Sequence, residues 1–129
     1  MEMAISLLLV AAGGALGGMA RLGVGNAVSR RLGSAFPFGT LVVNLSGALV
    51  IGLLAGLMGL PPAGEEPHAW SLAVIGLLGG YTTVSSFSLQ TLTLWQQGRA
   101  MAALANVAAT LGIGLVAVAL GAWLAGGLA

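Results

Sequence analysis

The chain has no cysteine and no lysine, and only 5% of its 129 residues are charged. Without cysteine it has neither a disulfide nor a thiolate metal site. Soluble domains carry about 25% charged residues, so this chain cannot cover its surface with polar groups. A net charge of +1 leaves no footprint for nucleic acid. The lone histidine, His68, sits in an acidic connection beside Glu65 and Glu66, and a solvated surface role is expected there. No apolar segment holds Asp, Glu, Lys or His at depth, whereas proton-coupled transporters and pumps generally keep such a group inside the membrane. No carboxylate pair, Ser-His-Asp set or phosphate-binding glycine loop is present, so nothing supports an enzyme.

Apolar sequence makes up the balance, with 58% hydrophobic residues and a mean hydropathy of +1.05. Four apolar segments stand out, at residues 4–22, 38–60, 69–96 and 100–125. Each is long enough to cross roughly 30 Å of hydrocarbon with some tilt. The expected fold is all-α, a single integral-membrane domain over residues 1–129 with four spanning helices. Glu2 replaces the basic start of a signal peptide, and the first segment is expected to be a retained helix.

The connections carry nearly all the charge. Residues 23–37 include Arg30 and Arg31 and leave room for a short interfacial helix. Residues 61–68 open on Pro61-Pro62, which stops the second helix, and 97–99 form a tight turn. Trp70, Trp95 and Trp123 fall near helix ends, where an indole sits at headgroup level. With four spans, Arg21, Arg30, Arg31 and Arg99 share one side, and Glu2, Glu65 and Glu66 share the other. The positive-inside rule then puts both termini outside. Gly13 with Gly17, Gly14 with Gly18, and Gly52 with Gly56 are spaced for close helix contact, though a glycine-rich chain also yields such pairs by chance.

The third segment is the unusual one. Gly79-Gly80-Tyr81-Thr82-Thr83-Val84-Ser85-Ser86-Phe87-Ser88 puts two glycines and two β-branched threonines inside a membrane helix, a poor helix sequence. Freed carbonyls and clustered hydroxyls are costly in lipid unless they are buried in protein or line a polar cavity. A broken third transmembrane helix that builds an ion site is expected.

Other neutral polar groups share helix faces: Thr40, Asn44 and Gly47 on the second helix, and Asn106, Thr110 and Gly114 on the fourth. Amide and hydroxyl hydrogens can replace the water around a small anion without a fixed charge that holds it too tightly. Such groups also serve simply as interhelical hydrogen bonds. Asn44 is the stronger candidate, because a buried amide is harder to satisfy. Phe87 could turn its positive ring edge to an anion, although spacing alone favours packing.

These motifs, in this order and in a four-span chain, resemble the CrcB/Fluc fluoride channels. The resemblance rests on Gly13-Gly14-Ala15-Leu16-Gly17 followed by Arg21, on Gly39-Thr40-Leu41-Val42-Val43-Asn44, and on the 79–88 run. It implies an antiparallel dimer with two fluoride pores. It implies a structural sodium ion held by the backbone carbonyls of Gly79 and Thr82. It also implies pore roles for Asn44 and Phe87, with Thr40, Ser85, Ser86, Asn106 and Thr110 along or beside the path. Val84 stands where the family usually has a pore phenylalanine. Together with the one-sided arginines, this leaves a homodimer and a pairing with a homologous chain both open.

The function implied is a passive, fluoride-selective channel in a bacterial inner membrane, exporting trapped fluoride and lowering its toxicity. The rivals are a small four-helix membrane transporter, which lacks its membrane carboxylate here, and a non-transporting membrane assembly protein, which leaves the hydroxyl-rich break unexplained.

Overall fold

The computed structural model describes residues 1–62 and 64–127. Residues 63, 128 and 129, at the 61–68 connection and the end of the expected domain, lie outside the described residues. Helix α1 is Glu2–Leu32 and α2 is Phe38–Met58. Helix α3 covers residues 68–81, with its middle, Ser71–Leu78, wound as a π-helix. Helix α4 is Ser85–Gln96 and α5 is Ala100–Ala122. Four stretches are long and apolar enough to cross a membrane: Glu2–Leu32, Phe38–Met58, His68–Gln96 and Ala100–Gly126. Only 6 to 17% of each apolar window is buried within the chain. So much outward apolar surface needs lipid or another chain around it, and the protein is a multi-pass membrane protein.

Glycine sets the helix pairing. α1 packs along α3, and α2 along α5. A Cβ on Gly13 would sit 2.5 Å from the Leu72 carbonyl oxygen, and one on Gly80 would sit 2.5 Å from that of Gly14. Gly17 likewise meets the backbone of Leu77 and Tyr81. Gly52 and Gly56 meet the backbone of Val118 and Ala122, and Gly121 returns the contact at Leu49 and Leu53. Backbone thus lies directly on backbone, which only small residues allow. The Gly14/Gly18 pair is different, because Gly18 faces open space.

Polar contacts fix the two ends. The Arg99 guanidinium donates to the Ala35 carbonyl, joining the α4–α5 turn to the α1–α2 connection. At the other end, His68 Nε2 and Glu2 Oε2 lie 3.0 Å apart. Charge is therefore segregated along the bundle axis.

One sequence expectation changes. Residues 23–32 form no separate interfacial helix and instead continue α1 beyond the 4–22 span. Nothing breaks the helix before Gly33, whose φ of 82° ends it while its N–H bonds to the Ser29 carbonyl. Arg30 and Arg31 in the last turn favour the negative end of the helix dipole. Of the three tryptophans near helix ends, Trp70 is buried against the chain, whereas Trp95 and Trp123 are exposed.

Candidate functional site

Helix α3 stops at Tyr81, and Thr82 is extended, with φ −79° and ψ 156°. Helix α4 starts at Ser85; the Thr82 N–H still serves Leu78 and the Val84 carbonyl still accepts from Ser88, so it is Thr83 whose backbone groups lack regular helical partners. Asn44 of α2 takes both from Thr83. The Thr83 N–H donates to Asn44 Oδ1 at 2.8 Å, and Asn44 Nδ2 donates to the Thr83 carbonyl at 2.9 Å. Both bonds use the amide edge that carries Oδ1, which leaves one Nδ2 hydrogen directed away.

This pairing diverts helical donors. In an unbroken helix the Thr83 N–H would serve the carbonyl of Gly79; here it serves Asn44. The Ser86 N–H would serve Thr82; here it donates to Thr83 Oγ1 at 3.1 Å, capping α4. Gly79 and Thr82 thereby lose their usual donors, and their oxygens are the groups here that could hold a cation. Among the described residues no cluster of three His, Asp or Glu offers an alternative.

Helix α2 supports the break at two further points. Ser46 Oγ shares a hydrogen bond of 2.9 Å with the Tyr81 hydroxyl. Gly47 faces Thr82 Cγ2 and the Tyr81 ring so closely that any side chain there would displace them. The buried Val43 fills the space beside Asn44 in sequence. Thr82 Oγ1 turns back to the Leu78 carbonyl at 2.9 Å and closes α3.

Beyond the break, α4 is tied to α5. Asn106, 2% exposed, donates from Nδ2 to Thr91 Oγ1 at 2.9 Å. Thr91 Oγ1 donates to the Phe87 carbonyl at 2.7 Å. Thr110 Oγ1, one turn along α5 from Asn106, is buried without a hydrogen-bond partner among the described residues. Ser85 Oγ lies 3.2 Å from Thr83 Oγ1, and Ser86 and Phe87 are half-buried. Val84 is 77% exposed. Of the sequence-selected residues, Asn44, Thr83 and Ser85 meet at the break, and Asn106 reaches from α5 to Thr91 of α4.

Thr40 lies apart from both, in a cavity of about 440 Å³ between the C-terminal half of α1, the start of α2, and α4. The break creates this space. α4 packs against α5 and α2, and no Cα of α4 comes within 8 Å of one in α1, although α3 runs close along α1. Arg21, Gln90, Thr93 and Gln97 line the cavity. Gln90, Thr93 and Gln97 belong to none of the motifs in the sequence. Ser86, Gln90, Thr93 and Gln97, four, three and four apart, form a polar stripe that helical spacing could have revealed.

A family model described as CrcB-like protein, Camphor Resistance (CrcB), matches residues 8–122. The chain is 49% identical to a Bradyrhizobium diazoefficiens protein named fluoride-specific ion channel FluC 2, over 95% of this chain and 90% of that one. It is 47% identical to the protein of the same name from Rhodopseudomonas palustris, over 93% and 92%. Fluoride-specific ion channel FluC of Rhodospirillum rubrum is 46% identical over 91% and 92%.

Proposed function

This chain belongs to the CrcB-like family, and from that premise we infer that it is a fluoride-specific ion channel. It is not an enzyme. Fluoride crosses the membrane through it passively, which fits four apolar spans with no buried carboxylate, lysine or histidine. The four-helix transporter and the non-transporting assembly protein are both disfavoured.

The observation that carries the mechanism is the two-point bond between Asn44 and Thr83. It holds the interruption of one membrane span open and leaves an Asn44 N–H to meet a dehydrated fluoride. The ring edge of Phe87 and the hydroxyl of Thr110 continue the path between α4 and α5. Ser85, Ser86 and Asn106 line its side, and Thr40 marks its mouth. A narrow row of neutral donors suits fluoride, whose small radius gives the strongest hydrogen bonds of any halide, and fits chloride poorly. Export is driven by the negative-inside potential of the bacterial inner membrane.

The working unit is an antiparallel dimer. The carbonyls of Gly79 and Thr82 supply half of a structural sodium site at the dimer axis, the other half coming from the second subunit. That sodium would supply a fixed positive charge offsetting the released carbonyl dipoles. Four arginines at one end favour a single insertion of this chain. The oppositely inserted member is then either a minority of its own copies or a homologous chain, and the exposed Val84 favours a partner that brings its own phenylalanine.

Passive conduction is tested in liposomes by setting the potential with potassium and valinomycin. Fluoride efflux is expected to follow the potential and to ignore an imposed pH gradient. Efflux that needs the pH gradient would overturn the passive mechanism.

A further inference from the structure

We propose that Tyr81 and Ser46 are a positioning pair for the break, their hydroxyls fixing the direction of the released Gly79 and Thr82 carbonyls. This role rests on the reading of those two oxygens as a cation site, and it names the side chains that aim them. The Tyr81 and Ser46 hydroxyl oxygens lie 2.9 Å apart, and both residues are half-buried.

Hydrogen counting gives this bond a direction. Each hydroxyl has one hydrogen to donate. Ser46 Oγ donates to the Val43 carbonyl at 3.1 Å. With that hydrogen committed, Tyr81 is the donor and Ser46 Oγ the acceptor. A relay thus runs from Tyr81 through Ser46 to the backbone of α2. Both hydrogens have partners in this arrangement, which spares two hydroxyls the cost of burial unpaired.

The place of Tyr81 in the chain makes the relay matter. The last turn of α3 is Gly79-Gly80-Tyr81, so Tyr81 carries its only side chain. Glycine supports a helix poorly, and the turn depends on its neighbours. On one side Gly80 lies on the Gly14 backbone of α1. On the other, a Cβ on Gly47 of α2 would sit 3.4 Å from the Tyr81 ring, and the ring's hydroxyl is held at Ser46. Gly79, in this turn, bears one released carbonyl. Thr82 bears the other, between Tyr81 before it and Thr83, bonded to Asn44, after it. The trans peptide sets the Thr82 carbonyl opposite the Thr83 N–H. Asn44 therefore fixes one end of that peptide, and the Tyr81 anchor fixes the chain entering the other. Without the hydroxyl the ring stays packed, but the turn is free to rock about its two glycines. The two oxygens then lose their common direction.

The test uses the assembled complex, purified through a tag on this chain, as wild type, Tyr81→Phe, Ser46→Ala and the double variant. Melting temperature is followed against sodium chloride, balanced with N-methyl-D-glucamine chloride. The concentration at which it begins to climb marks the sodium affinity. Each single variant should need about three- to tenfold more sodium, the range that one hydrogen bond gives. The double variant should need no more than either single one, because both changes remove the same bond. An unshifted sodium onset, with only a lower melting temperature, would make the pair a packing contact and overturn the proposal. A second readout needs no sodium effect. Thr82-Thr83 is the only threonine pair in the chain. Threonine labelled with carbon-13 at the carbonyl and nitrogen-15 at the amide therefore gives one doubly labelled peptide bond, whose carbon resonance reports the Thr82 carbonyl alone. Tyr81→Phe should move or broaden that resonance, and an unmoved resonance would overturn the proposal. A wild type whose melting ignores sodium would count against the cation reading alone, with the carbonyl resonance still deciding the pair.

Discussion

The side chain of Asn44 and the backbone of Thr83 form a closed two-point pair, with bonds of 2.8 and 2.9 Å. One amide from α2 thus satisfies both main-chain groups of a residue in the interruption between α3 and α4. Asn44→Asp keeps the acceptor for the Thr83 N–H but sets a carboxylate oxygen against the Thr83 carbonyl. It also puts negative charge beside the proposed path. Fluoride efflux from liposomes is expected to be lost, and an unfolding titration should show destabilisation of about 2 kcal/mol or more. Unchanged efflux would remove Asn44 from the pathway.

Thr110 separates conduction from stability. Its buried hydroxyl has no partner among the described residues, so Thr110→Val should leave stability unchanged or raise it by about 1 kcal/mol. Efflux should nevertheless fall several-fold if the hydroxyl serves the anion. A variant with normal efflux would make Thr110 a packing residue.

Close packing of α1 on α3 predicts a contrast between neighbouring glycines. Gly17→Ala drives a methyl into the Leu77 and Tyr81 backbone, whereas Gly18→Ala enters open space. The first should lower the melting temperature in detergent and cost about 1–3 kcal/mol, and the second should be neutral. Equal effects would contradict the packing described.

Insertion is readable by cysteine labelling, because the chain has no cysteine of its own. With both termini outside, Glu65→Cys should react with an impermeant maleimide on intact cells, and Ser34→Cys should not. Equal labelling at both sites would mean dual insertion, and would make a homodimer sufficient.

Sodium dependence tests the released carbonyls of Gly79 and Thr82. Replacing sodium by N-methyl-D-glucamine should lower the protein's melting temperature, and adding sodium back should raise it in a saturable way. A melting temperature indifferent to sodium would argue against a cation at the break.

Much of this architecture was legible in the residues. The spans follow from length and hydropathy. The interruption follows from Gly79-Gly80 meeting Thr82-Thr83, where local propensity and membrane helix conflict. The Gly13/Gly17 and Gly52/Gly56 contacts were legible as spacing, but spacing could not separate them from Gly14/Gly18. That distinction depends on which face α3 covers. The partner of Asn44 was hidden for a similar reason, since an amide's choice between backbone and pore is settled by residues 39 positions away. Trp70 is buried because α3 leans on α1, a tertiary fact. The Arg21 cavity exists only because α4 departs from α1 after the break, and no local pattern records a gap.

Fluoride conduction itself is tested most directly with the assembled complex, purified through a tag on this chain and reconstituted in liposomes loaded with both potassium fluoride and potassium chloride. On addition of valinomycin, a fluoride electrode should register rapid discharge of fluoride while chloride is retained. Fluoride release no faster than from protein-free liposomes, or release of both halides together, would contradict the account.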